Sequence, residues 1–212
     1  MSEERFLVVT AEGRCRTVPT GGSFAVGLEE HAATPGTALR QVSARATTVI
    51  EAARSAGVGD PEIMTGGLGV QPRYDNRGER VIGFQADYTL TISVDDVDRV
   101  GPLVDAVADA AGDALRLHGL STRIVDPDAA RTEALANAVR AAHDKAGAAA
   151  GAAGLRLGRV MSITEGVREA HQPYERFAMA AAVNAGGGTP VEAGTAVVTA
   201  TVTVRFALED TD

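Results

Sequence analysis

Four histidines and one cysteine are the residues of this sequence whose types are best suited to catalysis or metal binding. His31, His118, His143 and His171 are far apart, and no two have the three- or four-residue spacing that places imidazoles on one helix face. Cys15 has no second cysteine with which to bind zinc. This spacing favours solvated histidines over a metal centre. The sequence therefore predicts no metal site and no cofactor.

Cys15 is flanked by Arg14 and Arg16. Cations beside a thiol lower its pKa and make it more reactive. In a strand, however, sequence neighbours point to the opposite face, which limits this effect. Cys15 is therefore a candidate redox residue, or the site of an intermolecular disulfide. A single cysteine cannot form an internal disulfide, and it fits a reducing compartment.

Two further segments resemble ion or phosphate sites. The acidic run Asp95–Asp98 lacks the spaced oxygen ligands and the turn glycine of a calcium loop. Carboxylates at the start of a helix accept hydrogen bonds from free backbone amides, and this capping role explains the run. The glycine-rich segment Thr65–Gly69 is followed by extended chain instead of a lysine or a helix, which favours a bulged or flexible strand. No serine has the flanking glycines of a hydrolase elbow. The sequence therefore predicts no catalytic residue and no enzymatic activity.

Composition restricts the class of protein. The chain has 212 residues, of which 45% are hydrophobic and 4% aromatic, enough for one large domain or two small ones. A net charge of −8 without a basic cluster argues against a nucleic-acid partner. The first residues, 1–5, lack the basic start and apolar stretch of a secretory signal, and no tract is long enough to span a bilayer. These features predict a cytoplasmic protein.

Long alternating segments predict antiparallel sheets that are covered on one side only. From Ile82 to Val94 the even-numbered residues are apolar and the odd-numbered ones polar, and Val198–Leu208 has the same period of two. Shorter strands are predicted at Phe6–Thr10, Arg14–Val18, Ser23–His31, Ile63–Tyr74, Leu120–Val125, Leu155–Glu165 and Tyr174–Val183.

Three helices are predicted between the strands. The first has Thr34 as its cap and ends at Gly57, the second follows the acidic run, and the third begins after Asp126. Glycines in the third helix indicate either a close backbone approach or a frayed end. The apolar stripe of the third helix is predicted to comprise Leu135, Val139, Ala142, Ala146, Ala149 and Ala153.

The order of these elements predicts an α+β fold, with antiparallel sheet and helices packed on one face. The chain is interpreted as a single domain over residues 1–212. A strand-helix-strand-strand order occurs in residues 23–94 and again in residues 120–208, which indicates possible subrepeats.

Several short motifs, in their order and spacing, resemble the SIMPL-domain family, which includes bacterial envelope and periplasmic proteins. The resemblance extends over nearly the whole chain. The motifs that carry it include Gly57-Val58, Ile63-x-Thr65, Pro72-x-Tyr74-Asp75, Ile82-Gly83-Phe84-x-Ala86, Val94-x-Asp96-Val97-Asp98 and Gly154-Leu155-x-Leu157-Gly158.

This resemblance implies an α+β protein without established catalytic residues or cofactor. It also implies that related proteins can build ring-like or channel-like oligomers and that some of them are linked to oxidative-stress tolerance. The function predicted is self-assembly into a homo-oligomer. Pro72, Arg73 and Tyr74 precede a predicted turn and form either an arm for subunit contact or a plain surface loop. The alternative function is a small-molecule binding module with a pocket between helices and sheet.

Overall fold

The computed structural model describes residues 5–166 and 188–211. These residues form seven strands and three α-helices, and the predicted α+β class is confirmed. The elements are β1 (Phe6–Thr17), β2 (Gly21–Ala32), α1 (Pro35–Ser55), β3 (Ile63–Tyr74), β4 (Val81–Val94), α2 (Val100–Ala111), β5 (Leu115–Arg123), α3 (Asp128–Ala152), β6 (Leu155–Gly166) and β7 (Ala196–Asp210). Short 3-10 turns cover Asp60–Glu62, Val97–Arg99 and Gly112–Ala114.

The chain divides into two compact units. In the described residues, the three-stranded unit contains β1, α3, β6 and β7, with strand order β1-β7-β6. The four-stranded unit contains β2, α1, β3, β4, α2 and β5, with strand order β3-β4-β2-β5. All neighbouring strands are antiparallel. The interpretation of residues 1–212 as one domain with subrepeats at 23–94 and 120–208 stays a prediction.

The core of the four-stranded unit lies between one side of its sheet and the helices α1 and α2. The predicted alternation of β4 is confirmed from Ala86 onwards, because Ala86, Leu90, Ile92 and Val94 are all buried. Ile82, which the same pattern placed on the buried side, is instead 58% exposed. The reason is a register shift where Arg73 pairs with Gly83 but Tyr74 pairs with Val81, which leaves Ile82 unpaired.

Both ends of α1 follow from its sequence. The Thr34 hydroxyl accepts a hydrogen bond from the Thr37 amide at 3.3 Å, which confirms the predicted cap. Gly57 adopts a φ of 84° directly after the helix, a conformation that glycine reaches without steric cost. The Arg99 guanidinium donates to the carbonyls of Ala56 and Gly57 at 2.7 and 3.0 Å and so caps the end of the helix.

The three-stranded unit buries the alternate residues of β7 against α3. Val202, Val204 and Phe206 are each at most 1% exposed, as the alternation predicts. The helix can approach the sheet closely because β1 has a glycine at position 13. A Cβ on Gly13 would collide with the backbone of Ala134 and Ala138.

The buried stripe of α3 differs from the predicted one. It consists of alanines spaced four residues apart, whereas Leu135 and Val139 lie at its flank and are only partly buried. The predicted stripe residues Ala149 and Ala153 are exposed. Small side chains allow the closest contact with the sheet, so the helix turns its alanines inward. The buried members are Ala130, Ala134, Ala138, Ala142, Ala146 and Ala150.

The glycines of α3 do not provide that contact. A Cβ on Gly147 or Gly151 would meet no atom within 4 Å, so neither marks a close backbone approach. The helix ends at Ala152 and Gly154 follows with a φ of 70°, which agrees with the alternative that these glycines belong to a weak helix end.

Some predicted strand boundaries were wrong. The segments Phe6–Thr10 and Arg14–Val18 form one continuous strand, since Gly13 is tolerated within it. The strand predicted at Leu120–Val125 extends instead from Leu115 to Arg123, so His118 also lies on it. The predicted strand Tyr174–Val183 lies outside the described residues.

Candidate functional site

The β3–β4 hairpin has the largest set of exposed apolar side chains in the described structure. Leu68 pairs with Tyr88 and Val70 pairs with Ala86, and directly paired residues point to the same side of a sheet. Ala86 is fully buried under the helices, yet Leu68 and Val70 are 52% and 40% exposed. The helices therefore leave this part of the hairpin uncovered. We call Leu68, Val70 and the neighbouring partly buried Phe84 the hairpin patch.

The tip of the hairpin is held by one carboxylate. An Asp75 side-chain oxygen accepts hydrogen bonds from the backbone amides of Arg77 at 3.2 Å and Glu79 at 3.0 Å. Gly78 adopts a φ of 73° and donates to the Asp75 carbonyl. The hydrogen bond from the Glu79 amide is the main cause that holds the pKa of Asp75 below its usual value. The tip is thus an ordered turn.

The predicted contact residues Pro72, Arg73 and Tyr74 occupy the end of β3 next to this turn, and all three are exposed. Tyr74 is 53% exposed. Sequence reasoning missed the hairpin patch, because strand alternation alone assigns its residues to the buried side. The available signal was the glycine-rich run before Leu68. It contains a register shift between Thr65 and Gly67, which agrees with the bulged alternative of the predicted bulged or flexible strand.

The opposite edge of the same sheet also exposes apolar residues. Leu117 and Leu120 of β5 pair with Val26 and Phe24, both buried on the helix side. Leu117 is nevertheless 46% exposed and Leu120 is 36% exposed. Both edge strands therefore carry exposed apolar side chains on the side that bears the helices.

Cys15 lies in a different chemical environment from the one its sequence neighbours suggest. It is buried on β1, and its thiol donates a hydrogen bond to Glu133 Oε2 of α3 at 3.2 Å. This hydrogen bond, together with burial and the negative charge of Glu133, raises the pKa of Cys15. Arg14 and Arg16 do not lower it. The thiol is kept protonated, which makes it less nucleophilic. A redox role for Cys15 stays a prediction.

The carboxylates of the acidic run Asp95–Asp98 form ion pairs and hydrogen bonds with other groups of the protein. Asp95 forms an ion pair with Arg123, and Asp96 accepts a hydrogen bond from the Asp98 amide at 3.0 Å. These contacts agree with the capping role. Asp105 of α2 similarly accepts from the amide and hydroxyl of Thr189, at 3.0 and 2.6 Å, and the hydroxyl contact chiefly lowers the pKa of Asp105.

The described histidines are all exposed. His31 lies 3.0 Å from Glu29 on β2, His118 is on β5, and His143 is 4.0 Å from Asp144 on α3. His171 lies outside the described residues. Within residues 5–166 and 188–211, no group of three or more His, Cys, Asp or Glu side chains could hold a metal ion.

One depression of about 190 Å³ in the four-stranded unit is lined by apolar residues together with Asp98 and Arg99. Drug-sized ligands typically occupy about 300–1,000 Å³. Of the helices in the described part of the chain, none combines the length and apolarity that crossing a bilayer requires.

Two solved structures share a weak likeness with this chain. One is AtUAH in complex with glyoxylate, 14% identical, with a TM-score of 0.32 over 53% of this chain and 29% of that one. The other is an amidase of the hydantoinase/carbamoylase family from Burkholderia multivorans, 16% identical, with a TM-score of 0.27 over 53% and 28% of the two chains. At these TM-scores neither supports an argument about this protein.

Two curated relatives are closer in sequence. Both are named 26 kDa periplasmic immunogenic protein, one from Brucella melitensis and one from Brucella abortus. Each is 29% identical over 170 residues, which are 75% of this chain and 66% of the relative. The chain thus spans slightly less than two thirds of the length of these relatives.

These names contradict the predicted cytoplasmic location, because both relatives are periplasmic proteins. The prediction was based on residues 1–5 and on the single cysteine. Neither feature determines a compartment, because a targeting segment is removed before the mature domain functions and a lone thiol is compatible with any compartment.

The family comparison covers almost the entire chain. The model of the SIMPL family, described as a protein of unknown function (DUF541), matches residues 7–206. The resemblance inferred from the short motifs is therefore confirmed, and the chain belongs to the SIMPL family.

Proposed function

We propose that this chain is a non-catalytic, self-assembling protein of the periplasm, and that its copies associate through the hairpin patch. The observation that carries this proposal is the exposure of Leu68 and Val70, 52% and 40%, on the sheet side that elsewhere buries the core. Apolar side chains grouped on an exposed surface are typical of a contact with another protein.

The charges of the hairpin favour a second copy of this chain as the partner. Residues at and beside the tip carry both signs within a short segment, so they suit a partner surface that also carries both signs. A partner of one strong charge would be repelled by at least two of these five residues. The charged residues are Arg73, Asp75, Arg77, Glu79 and Arg80.

The strand directions also favour self-association. In the order β3-β4-β2-β5 each strand is antiparallel to the next, so β3 and β5, at the two edges, run in opposite directions. The β3 edge of one copy can therefore continue the antiparallel sheet beyond the β5 edge of another. Contacts between different surfaces of identical subunits generate rings or filaments.

Edge pairing by β3 is limited to a short segment. Pro72 has no amide to donate, and the register shift between Thr65 and Gly67 interrupts the ladder at the other end. Residues 67–71 remain as regular edge strand. Side-chain contacts of the hairpin patch must therefore supply most of the affinity.

A non-catalytic role is supported by the groups with shifted pKa values. Functional sites concentrate such groups. Among the described residues the groups with shifted pKa values are Cys15, Asp75 and Asp105, which lie on different elements, and hydrogen bonds within the fold are the main cause of each shift. The periplasmic location is supported by the names of the Brucella relatives. The link to oxidative-stress tolerance stays a prediction.

In the part of the chain that the structure describes, no observation favours the alternative of a small-molecule binding module. The glycine-rich Thr65–Gly69 segment is part of the exposed edge strand β3. The depression beside Arg99 is smaller than a typical ligand site.

Size-exclusion chromatography with light scattering tests self-assembly. At micromolar concentration the protein should elute as a multiple of 21.8 kDa. The double variant Leu68→Ser with Val70→Ser should shift it towards the monomer, because it removes the exposed apolar groups of the hairpin patch without touching the buried core.

Met64→Ser is the matched control. Met64 is on the same strand and is 60% exposed, but it pairs with Thr91 and so points to the other side of the sheet. Its substitution should leave the mass unchanged. A monomeric wild-type protein, or an equal loss of assembly in Met64→Ser, would contradict the proposal.

A further inference from the structure

The β5 edge of the four-stranded sheet has a short apolar row on the side that bears the helices. Leu117 pairs with the buried Val26 and therefore points to that side, yet it is 46% exposed. Leu115, two residues earlier on the same strand, points the same way and is partly buried. We call Leu115 and Leu117 the β5 row. It lies at the sheet edge opposite to the hairpin patch.

An antiparallel contact between the β3 edge of one copy and the β5 edge of another has a register that matches these two apolar surfaces. If Leu68 faces Leu117, Val70 faces Leu115, because paired positions move in opposite directions along antiparallel strands. The second copy continues the alternation of strand directions without being turned over. The helix-bearing sides of both copies therefore point the same way, and the two apolar pairs form on that side.

The open face of β3 has room for the side chains that this register brings to it. Gly67 and Gly69 alternate with Leu68 and so point away from the helices. A Cβ on either glycine would meet no atom of the described structure within 4 Å. In the register above, Gly67 lies opposite His118 of the other copy, and Gly69 lies opposite its Arg116.

Within one chain, these two side chains of β5 already lie over a glycine of a neighbouring strand. A Cβ on Gly27 of β2 would collide with the His118 ring and would stand 3.2 Å from the Cβ of Arg116. Glycine in a strand marks places where another chain segment approaches closely, and a ring from the next strand covers its exposed backbone. Gly67 and Gly69 offer the same accommodation on the other side of β5.

The β5 edge also carries both signs of charge. Arg116 lies 3.5 Å from Glu29, and Arg123 forms an ion pair with Asp95. The hairpin tip likewise carries both signs, so neither surface repels the other as a whole. The β5 edge is thus the kind of mixed surface that suits the charges of the hairpin.

We propose that the hairpin patch of one copy binds the β5 row of the next copy, with Gly67 and Gly69 facing His118 and Arg116. This inference rests on the proposed self-assembly and names the surface that receives the hairpin patch. Because the two surfaces differ, each chain donates one hairpin and receives another. A contact between two hairpin patches is the competing arrangement, and it leaves the β5 row unused.

Mixing two variants tests this arrangement by size-exclusion chromatography with light scattering. Leu117→Ser should elute at 21.8 kDa, as should the double variant Leu68→Ser with Val70→Ser. Mixed in equal amounts, they should form a pair of twice this mass, because the intact hairpin patch of one meets the intact β5 row of the other. The pair also shows that both variants are folded. If two hairpin patches met instead, Leu117→Ser would assemble alone.

Gly69→Val tests the room on the open face. Gly69 does not adopt a positive φ and its Cβ would meet nothing within the described structure, so thermal unfolding of the chain should not be weakened. The added side chain should nevertheless block Arg116 of the next copy and lower the assembled mass.

Ile163→Ser is the matched control for Leu117→Ser. Ile163 is on the edge strand β6 of the other unit, pairs with the buried Val204 and is 52% exposed. The inference is overturned if Leu117→Ser or Gly69→Val assembles as the wild type does, if the mixture forms no pair, or if Ile163→Ser loses as much mass. Normal assembly of Leu117→Ser would leave the hairpin patch as the contact, whereas a monomeric wild type would contradict the proposed function itself.

Discussion

Gly13 of β1 lies against the backbone of α3, so closely that a Cβ on residue 13 would stand only 2.7 Å from the Cα of Ala138. The Asn137 side chain donates to the Arg14 carbonyl at 2.8 Å beside this contact. The alanine stripe of α3 and the glycine of β1 are therefore complementary, and together they set the distance between helix and sheet in the three-stranded unit.

Replacing Gly13 by alanine should destabilise the protein by about 1–3 kcal/mol, because the added methyl group forces the helix away from the strand. Urea unfolding followed by circular dichroism measures the change. Gly147→Ala is the control on the facing helix: a Cβ there meets nothing, and the better helix propensity should stabilise by roughly 0.5–1 kcal/mol. Equal effects of the two substitutions would show that the close contact is not formed.

The reactivity of Cys15 should increase when Glu133 is replaced by alanine. The carboxylate accepts the thiol hydrogen bond and raises the pKa of Cys15, so its removal lowers that pKa and increases the thiolate fraction near pH 8. The rate of alkylation by iodoacetamide against pH measures it. Arg16→Ala should leave the alkylation rate unchanged. A lower rate in Arg16→Ala would show that the flanking arginines do lower the pKa of Cys15.

This raised pKa also has a consequence for stability. The stabilising contribution of the protonated thiol is present below the ordinary pKa of 9.0 and is lost as the pH rises through the higher folded value. The wild type should lose stability in this alkaline range, and Glu133→Ala should lose less.

The hairpin tip should open in acid. The folded pKa of Asp75 lies below its ordinary value of 3.8, so its contribution is complete above that value and is lost as the pH falls through the lower folded pKa. Amide exchange of Glu79 and Arg77 should therefore accelerate below about pH 4, beyond the intrinsic change in exchange rate. In Asp75→Ala the same amides should be unprotected at neutral pH. Protection that persists in this variant would exclude the carboxylate as the cause.

Asp87→Asn should stabilise the protein. It removes one of two like charges in the direct cross-strand pair of Glu29 and Asp87, an interaction worth about 0.2–1 kcal/mol. Thermal unfolding measures the gain. A variant less stable than the wild type would indicate that the hydrogen bond from Gln85 to Asp87 outweighs the repulsion.

Sequence periodicity predicted best those features that depend only on residues close together in the sequence. The alternation of β4 and β7 and the cap at Thr34 are local patterns, and the structure reproduces them from Ala86 and Val202 onwards. Ile82 departs from the pattern because of a register shift and because no helix covers it. Neither cause can be read from the residues of the strand itself. The buried stripe of α3 was predicted on the wrong residues for a similar reason. The surface that it packs against includes Gly13 of β1, which is far away in sequence.

By itself, the sequence determined the α+β class, the main strands and helices, and the family, because these depend on local periodicity and on short motifs in a fixed order. Only the tertiary structure decided which apolar residues remain exposed and which charged residues become neighbours. Leu68 is exposed because the helices cover other strands, and Glu29 meets Asp87 because two distant segments pair in one register. Such relationships arise from long-range packing, and no local pattern encodes them.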